Sequence, residues 1–232
     1  MTKKPLPIYS IRPGEKGPTL YRDEKPLETP RNLPVSVPTD RIAQALLAEC
    51  RLQEERLDLR KMPMMQMTLT AIDITSKQHR EIVDGIMRYG ESELLCQRAS
   101  EPPDLVAAQS ESWQPYLDWC KTKFGADLRL GSGIVPFEQE SGALGALRTF
   151  IDPFEPFLLT GVSEAVGISG SLVLGLALTT GHADVSGVLA ASELDNLWQS
   201  KKWGEDPASL ARQEDIRREL ENCARWLTLV AS

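Results

Sequence analysis

Thr19-Leu-Tyr-Arg-Asp-Glu-Lys-Pro-Leu-Glu-Thr-Pro-Arg-Asn-Leu-Pro-Val-Ser-Val-Pro-Thr39 is the stretch on which the fold turns. Half of the 16 prolines of the chain fall within its first 38 residues. Each proline locks φ and lacks an N–H, so a helix cannot run through such a density. Thr19 to Arg22, Lys25 to Thr29 and Leu33 to Val37 therefore read as short strands, joined at Asp23-Glu24 and Arg31-Asn32. Immediately after Pro38 the pattern changes. Thr39 is a natural N-cap, and Ile42, Leu46, Cys50, Gln53 and Leu57 follow at helical spacing.

Working outward from that switch, Pro63 breaks the chain, and Met62-Pro-Met-Met-Gln-Met67 opens a helix through Leu69 and Ile72. The methionine stripe reads as irregular core filling, with an adaptable binding surface as the alternative. Lys77 to Tyr89 reads as a helix with Ile82, Val83, Ile86 and Met87 inward and Gly90 as its C-terminal cap. Glu93 to Arg98 reads as a short strand. Pro102 or Pro103 starts a helix through Trp113 that Pro115 interrupts, and Asp127 to Gly133 is extended. From Gln139 onward the chain is helical. Within Gly161 to Leu178, Gly167, Ser171 and Gly175 recur every four residues and predict one smooth-ridged central helix. Asp184 caps the next helix, which ends near Trp203 with Gly204 beyond it. Asp206 and Pro207 then start a last helix with Ile216, Leu220, Cys223, Leu227 and Val230 on its inner seam. The fold class is α+β: a β-rich N-terminal domain with one helix, residues 1–62, and a larger, mostly α-helical domain, residues 63–232.

Composition narrows the function classes. A chain of 232 residues with net charge -7 lacks the basic face that nucleic acid requires. Its one basic cluster, Lys3, Lys4, Arg12, Lys16 and Arg22, reads as a solvated arm. Four widely spaced cysteines, Cys50, Cys96, Cys120 and Cys223, indicate reduced and mostly buried thiols. His79 and His182, the only histidines, have no ligand-spaced partners, so no metal is expected. The apolar run Phe157 to Leu178 carries Glu164 and is too short in its uncharged part for stable membrane insertion. The N-terminus has no signal or transit features, which points to a cytoplasmic protein.

No phosphate-binding loop is present, and no cofactor is expected. Gly167-Ile-Ser169-Gly-Ser is the nearest approach to a nucleophile elbow and lacks the last glycine. A small hydrolase using Ser169 is the alternative function, and it needs one of the two histidines within reach. Ala191-Ser-Glu-Leu-Asp-Asn-Leu-Trp-Gln-Ser-Lys-Lys-Trp-Gly-Glu-Asp206 holds two tryptophans and several carboxylates in sixteen residues. In one reading Leu194, Leu197 and Trp198 face the core while Glu193, Asp195 and Lys201 face water. In the other, the carboxylates and a partly exposed tryptophan form an acidic-aromatic patch for a protein partner.

Several of these pieces together resemble one family. They are Lys25-Pro-Leu-Glu-Thr-Pro30 with Leu33-Pro-Val-Ser-Val-Pro-Thr39; Ala48-Glu-Cys50 with Gln53, Met62-Pro63 and Met67-Thr-Leu-Thr-Ala-Ile-Asp73; and Tyr89-Gly-Glu-Ser-Glu-Leu-Leu-Cys-Gln-Arg-Ala99. Gln109 with Trp113-Gln-Pro-Tyr-Leu-Asp-Trp119, Ser171-Leu-Val-Leu-Gly-Leu-Ala-Leu178, and Leu194-Asp-Asn-Leu-Trp-Gln199 with Trp203-Gly-Glu-Asp206 complete the series. In order, they resemble the Atp-twelve type assembly chaperones of ATP synthase, in an alphaproteobacterial-like version; Cys50 stands where that family usually has tryptophan. The resemblance implies a non-enzymatic chaperone, monomeric, that binds the unassembled alpha subunit of the F(1) sector and masks its beta-facing surface until beta displaces it. Glu193, Asp195, Trp198, Gln199, Trp203 and Glu205 are the expected partner-binding residues.

Overall fold

The proline-rich stretch does fold as extended chain, in a sheet of three antiparallel strands ordered β1 (Tyr9–Gly14), β2 (Gly17–Arg22) and β3 (Lys25–Pro26). The structure is a computed structural model and describes residues 7–53, 56–133, 137–204 and 206–231. Both expected joints fall where the backbone turns left-handed, at Asp23 (φ 56°) and Asn32 (φ 58°); short polar side chains tolerate that conformation. The run 33–37 lies beside β2 through Leu20 N to Val35 O (3.0 Å) and Val37 N to Pro18 O (3.0 Å). It makes only the single bridges Thr19 with Ser36 and Glu28 with Pro34. Pro26, Pro30 and Pro34 have no N–H to donate, so a continuous ladder cannot form.

β1 corrects the reading of a solvated basic arm. Arg12 sits on this strand opposite Thr19 and is paired to Glu24 at 2.9 Å. Pro13 and Pro18 face one another in register. Lys3 and Lys4 lie outside the described residues.

The described chain divides into two compact units. The first takes residues 1–79 together with two later segments, 155–161 and 225–232. The helix α1 (Asp40–Arg51) starts at Thr39, whose hydroxyl accepts from Ile42 N at 3.3 Å. Its buried face, Ile42, Leu46 and Cys50, shares one core with Leu20, Val35 and Val37 of the extended region, with Met62, and with Met64 and Met65 of α2 (Pro63–Thr70). The methionines of α2 are therefore core. Met62 offers α2 no side-chain cap. Glu49, buried on α1, supplies one instead: its two oxygens accept from Met64 N and Met65 N, each at 2.9 Å. Trp226, fully buried, completes this core, stacked on Phe157 and donating from Nε1 to Phe157 O at 2.9 Å.

The second unit comprises residues 80–154 and 162–224. Its helices are α3 (His79–Glu91), α4 (Pro103–Phe124), α5 (Ser141–Ile151), the later part of α6 (Pro156–Ser169), α7 (Leu172–Thr179), α8 (Val185–Ser192), α9 (Leu194–Trp203) and most of α10 (Pro207–Val230). Two short strands, β4 (Gln97–Arg98) and β5 (Gly131–Ser132), pair in parallel. Every residue of α7 from Leu172 to Leu178 is buried. No described helix is long and apolar enough to cross a membrane.

Four local expectations in this unit are overturned. Gly90 does not cap α3; it lies within the helix, where a Cβ would come within 2.8 Å of Leu172. Pro115 does not interrupt α4, which keeps Gln109, Trp113, Leu117 and Cys120 on one buried face across it. The predicted central helix over Gly161–Leu178 is two helices, broken at Gly170 (φ +69°) and restarted by Ser171, whose hydroxyl accepts from Leu174 N at 3.0 Å. The helix after Asp184 likewise divides at Glu193 into α8 and α9. Asp184 caps as expected, accepting from Gly187 N at 2.8 Å, and Asp206 caps α10 through Ala208 N and Ser209 N, each at 2.9 Å.

Candidate partner-binding surface

The segment from Glu193 to Trp203 follows neither sequence reading throughout: a tryptophan is exposed, as the partner-patch reading expects, while Glu193 is buried, against both. No residue of α9 is fully buried, so the helix lies on the surface. Its carboxylates turn inward. Glu193, only 7% exposed, is held by the Arg212 guanidinium of α10 and accepts from Asn196 Nδ2 at 3.0 Å. Asp195 accepts from Gln109 Nε2 of α4 at 2.8 Å.

Of the two tryptophans, Trp203 turns outward and Trp198 is half-buried. Trp203 is 72% exposed, with its ring edge-on to Trp198 at 5.7 Å between centroids. Lys202 lies over the Trp198 ring, 4.4 Å from its centroid, and pairs loosely with Asp104 of α4 at 3.7 Å. Gln199 is exposed beside them. Leu210, on the second turn of α10, is also exposed. Of the six expected partner-binding residues, the structure thus brings Trp198, Gln199 and Trp203 to one exposed helix. It gives Glu193 and Asp195 internal partners. Glu205 lies outside the described residues.

Three residues without an assigned role in the sequence reading hold this arrangement. Gln109 is buried and bonded at both ends of its amide, accepting from Ala99 N at 2.8 Å while donating to Asp195. Trp113 is buried one turn later, and its Nε1 donates to Ala191 O at 2.9 Å, where α8 approaches its end. Arg212 closes the set through Glu193. A buried glutamine four residues before a buried tryptophan on one helix face was the available signal, because a buried amide requires partners. α9 is pinned at Glu193, Asp195 and Lys202. Its outer face is presented on a fixed backbone, the condition for a low-entropy binding surface.

The same unit holds Glu93, with no exposure at all. It accepts from the Ser171 hydroxyl, from Leu95 N at 3.2 Å and from Val173 N at 3.2 Å. Its carboxyl sits at the N-terminus of α7, where the helix dipole favours negative charge. Burial still outweighs those hydrogen bonds and pushes its pKa up to about 7. Burial likewise raises the thiols of Cys96 and Cys120 to about 12, and both are free and inert at neutral pH.

Ser169 has no nucleophile's setting. Its hydroxyl is buried and donates to Ala165 O at 2.7 Å, while His182 is stacked on Trp119 with ring centroids 4.3 Å apart.

Comparison with known proteins places this architecture. A sequence model of the family described as ATP12 chaperone protein matches residues 10–121. The crystal structure of Atp12 from Paracoccus denitrificans superposes with a TM-score of 0.91 at 32% identity, covering 95% of each chain. The crystal structure of the Atu1473 protein, a putative chaperone from Agrobacterium tumefaciens, superposes with a TM-score of 0.89 at 30% identity, covering 96% of this chain and 84% of that one. Identity at this level over nearly the whole length of both chains, with the same fold throughout, establishes that the chain belongs to the ATP12 chaperone family.

Proposed function

We propose that this protein is an assembly chaperone of ATP synthase. It holds the unassembled alpha subunit of the F(1) sector and masks the surface that the beta subunit later covers. It does so as a monomer in the bacterial cytoplasm, with no cofactor and no covalent step. An unassembled subunit exposes apolar surface that drives aggregation, and shielding that surface requires only a complementary patch that can be displaced. Exchange follows from mass action: beta must bind alpha more tightly than the chaperone does, by about 1.4 kcal/mol for each tenfold of preference.

The observation that carries this reading is the outward tryptophan edge of α9. Trp203 is exposed on a helix whose buttresses are internal, and tryptophan is the residue type most often found at binding hot spots. Trp198, Gln199, Trp203 and Glu205 make the contact; Glu193 and Asp195 act as positioning residues behind it.

Co-expression with the cognate alpha and beta subunits tests the proposal. Alpha is expected to co-purify with the chaperone, and added beta to release it. Trp203→Ala should weaken capture by about tenfold or more with an unchanged melting temperature. Glu193→Lys should instead lower stability by about 2 kcal/mol, because it sets a second cation against Arg212. Failure of the wild type to retain alpha defeats the proposal. Undiminished capture by a Trp198→Ala, Trp203→Ala double variant moves the contact elsewhere on the molecule.

A further inference from the structure

Arg98, the second residue of β4, carries its guanidinium inward and is only 9% exposed. The planar group lies over the Trp113 ring, with Cζ 5.3 Å from its centroid. Its hydrogen-bonding capacity is nearly unused. Nη2 donates to Gln114 Oε1 across a long 3.4 Å, and Nε is fully buried with no partner. Among the described residues no carboxylate comes within ion-pair distance of it. A guanidinium does not shed its proton, and a buried charge is ordinarily paired.

The surroundings hold this group rigidly. Trp113 is fixed through its Nε1 to Ala191 O, so the ring cannot slide from beneath the guanidinium. The main chain at Arg98 is fixed on both sides, by Gly133 N donating to Arg98 O at 2.9 Å and by Ala99 N donating to Gln109 Oε1 at 2.8 Å. Gln114 presents its oxygen because its Nε2 donates to Asp118 Oδ1 at 2.9 Å. The edge formed by Nε and Nη2 therefore keeps two parallel N–H groups, of which Nη2 has one weak acceptor and Nε none. That fork matches a carboxylate.

We infer that Arg98 is a receptor for one carboxylate, supplied by an acidic side chain of the captured subunit, which opens the buried guanidinium edge by displacing Gln114 Oε1 from it. This rests on the function proposed above. One observation favours a partner's side chain over a free small anion. The residues that fence in Arg98 also hold α9, Trp113 through Ala191 and Gln109 through Asp195. The receptor thus belongs to the bonded framework that carries the helix of the exposed Trp203.

Two measurements on the full chain decide the point. In the first, the Arg98 Nε–H resonance, assigned by its loss in Arg98→Lys, is followed by NMR during titration with sodium acetate and, separately, with sodium chloride at the same ionic strength. A saturable shift with acetate alone is expected; an equal response to both salts, an adventitious ion only, overturns the inference, as does no response. In the second, capture of the alpha subunit is compared among wild type, Arg98→Gln and Arg98→Lys, with melting temperatures recorded. Arg98→Gln should lose about tenfold or more in capture, and Arg98→Lys, which keeps the charge without the fork, should fall between. Should Arg98→Gln fold poorly, the comparison is made on Arg98→Lys, and capture equal to wild type overturns the inference. An acetate response with undiminished capture reassigns the site to a free anion and overturns the client as its source. A wild type that answers acetate but never retains alpha defeats the proposed function, leaving the carboxylate receptor itself standing.

Discussion

Glu93 and Glu193 show how differently two carboxylates of one unit are used. Glu193 meets a cation and holds a surface helix in place. Glu93 meets only neutral donors in a site closed to solvent, and its pKa stands near 7 instead of 4.5. The folded chain thus binds that proton more tightly than the unfolded chain does. Its favourable contribution is complete below about pH 4.5 and disappears as the pH rises through 7. Replacing the group with Glu93→Gln removes the titration. In urea melts at about pH 4 and pH 8, the stability difference between wild type and Glu93→Gln should move against the wild type by on the order of 3 kcal/mol as the pH rises. A difference that stays constant with pH refutes this account of Glu93. None of this was legible in the sequence, where Glu91 and Glu93 look like an ordinary solvated pair; nothing local announces that Ser171, 78 positions later, comes to lie against one of them. The same blindness affected Glu193 and Asp195. Their types and spacing suit a wet helix face, and only Arg212 and Gln109, supplied by other helices, turn them inward.

At the scale of elements, helix starts at Thr39, Asp184 and Asp206, written in N-capping chemistry, were readable, and boundaries set by packing were not. Thr39, Asp184 and Asp206 each cap the helix they were expected to cap, because an N-cap interaction is settled within three residues. Pro115 misled for the opposite reason. A proline inside a helix deletes the hydrogen bond to the carbonyl four residues back and costs about 3 kcal/mol, yet α4 has buried contacts on both sides of it, from Gln109 and Trp113 to Leu117 and Cys120. That burial outweighs the local cost. Since Pro115 itself is exposed, Pro115→Ala should restore the bond to the Glu111 carbonyl and raise stability by about 1 kcal/mol or more, measured as a shift of the urea midpoint at constant slope. A destabilised Pro115→Ala would mean that the helix needs the irregularity. Gly170 is the reverse error: its permissive backbone ends α6, so Gly167, Ser171 and Gly175 never share a helix face.

At the scale of the whole molecule, the extended start and helical remainder were legible because proline density and helical periodicity are properties of contiguous sequence. Membership of the first unit is not contiguous. Met62-Pro63 marks only the start of α2, whereas the compact unit extends to His79 and takes in 155–161 and 225–232. The inner seam of α10 was anticipated at Leu220, Cys223 and Leu227, all buried, but Trp226, which belongs to the first unit's core, went unread. Trp226→Ala should cost about 3–5 kcal/mol. Hydrogen exchange should place the loss of protection in the first unit, at α1 and the strands that share its core; loss confined to residues 162–224 would contradict that placement.

The late arrival of Trp226 has a consequence for biosynthesis. At the ~5–20 residues per second of translation, the ribosome takes roughly ten seconds to half a minute to travel from the end of α2 to that tryptophan. Throughout that interval the strands, α1 and the methionines of α2 have emerged with one wall of their core still unmade. A nascent protein that shelters others must first pass through a vulnerable adolescence of its own.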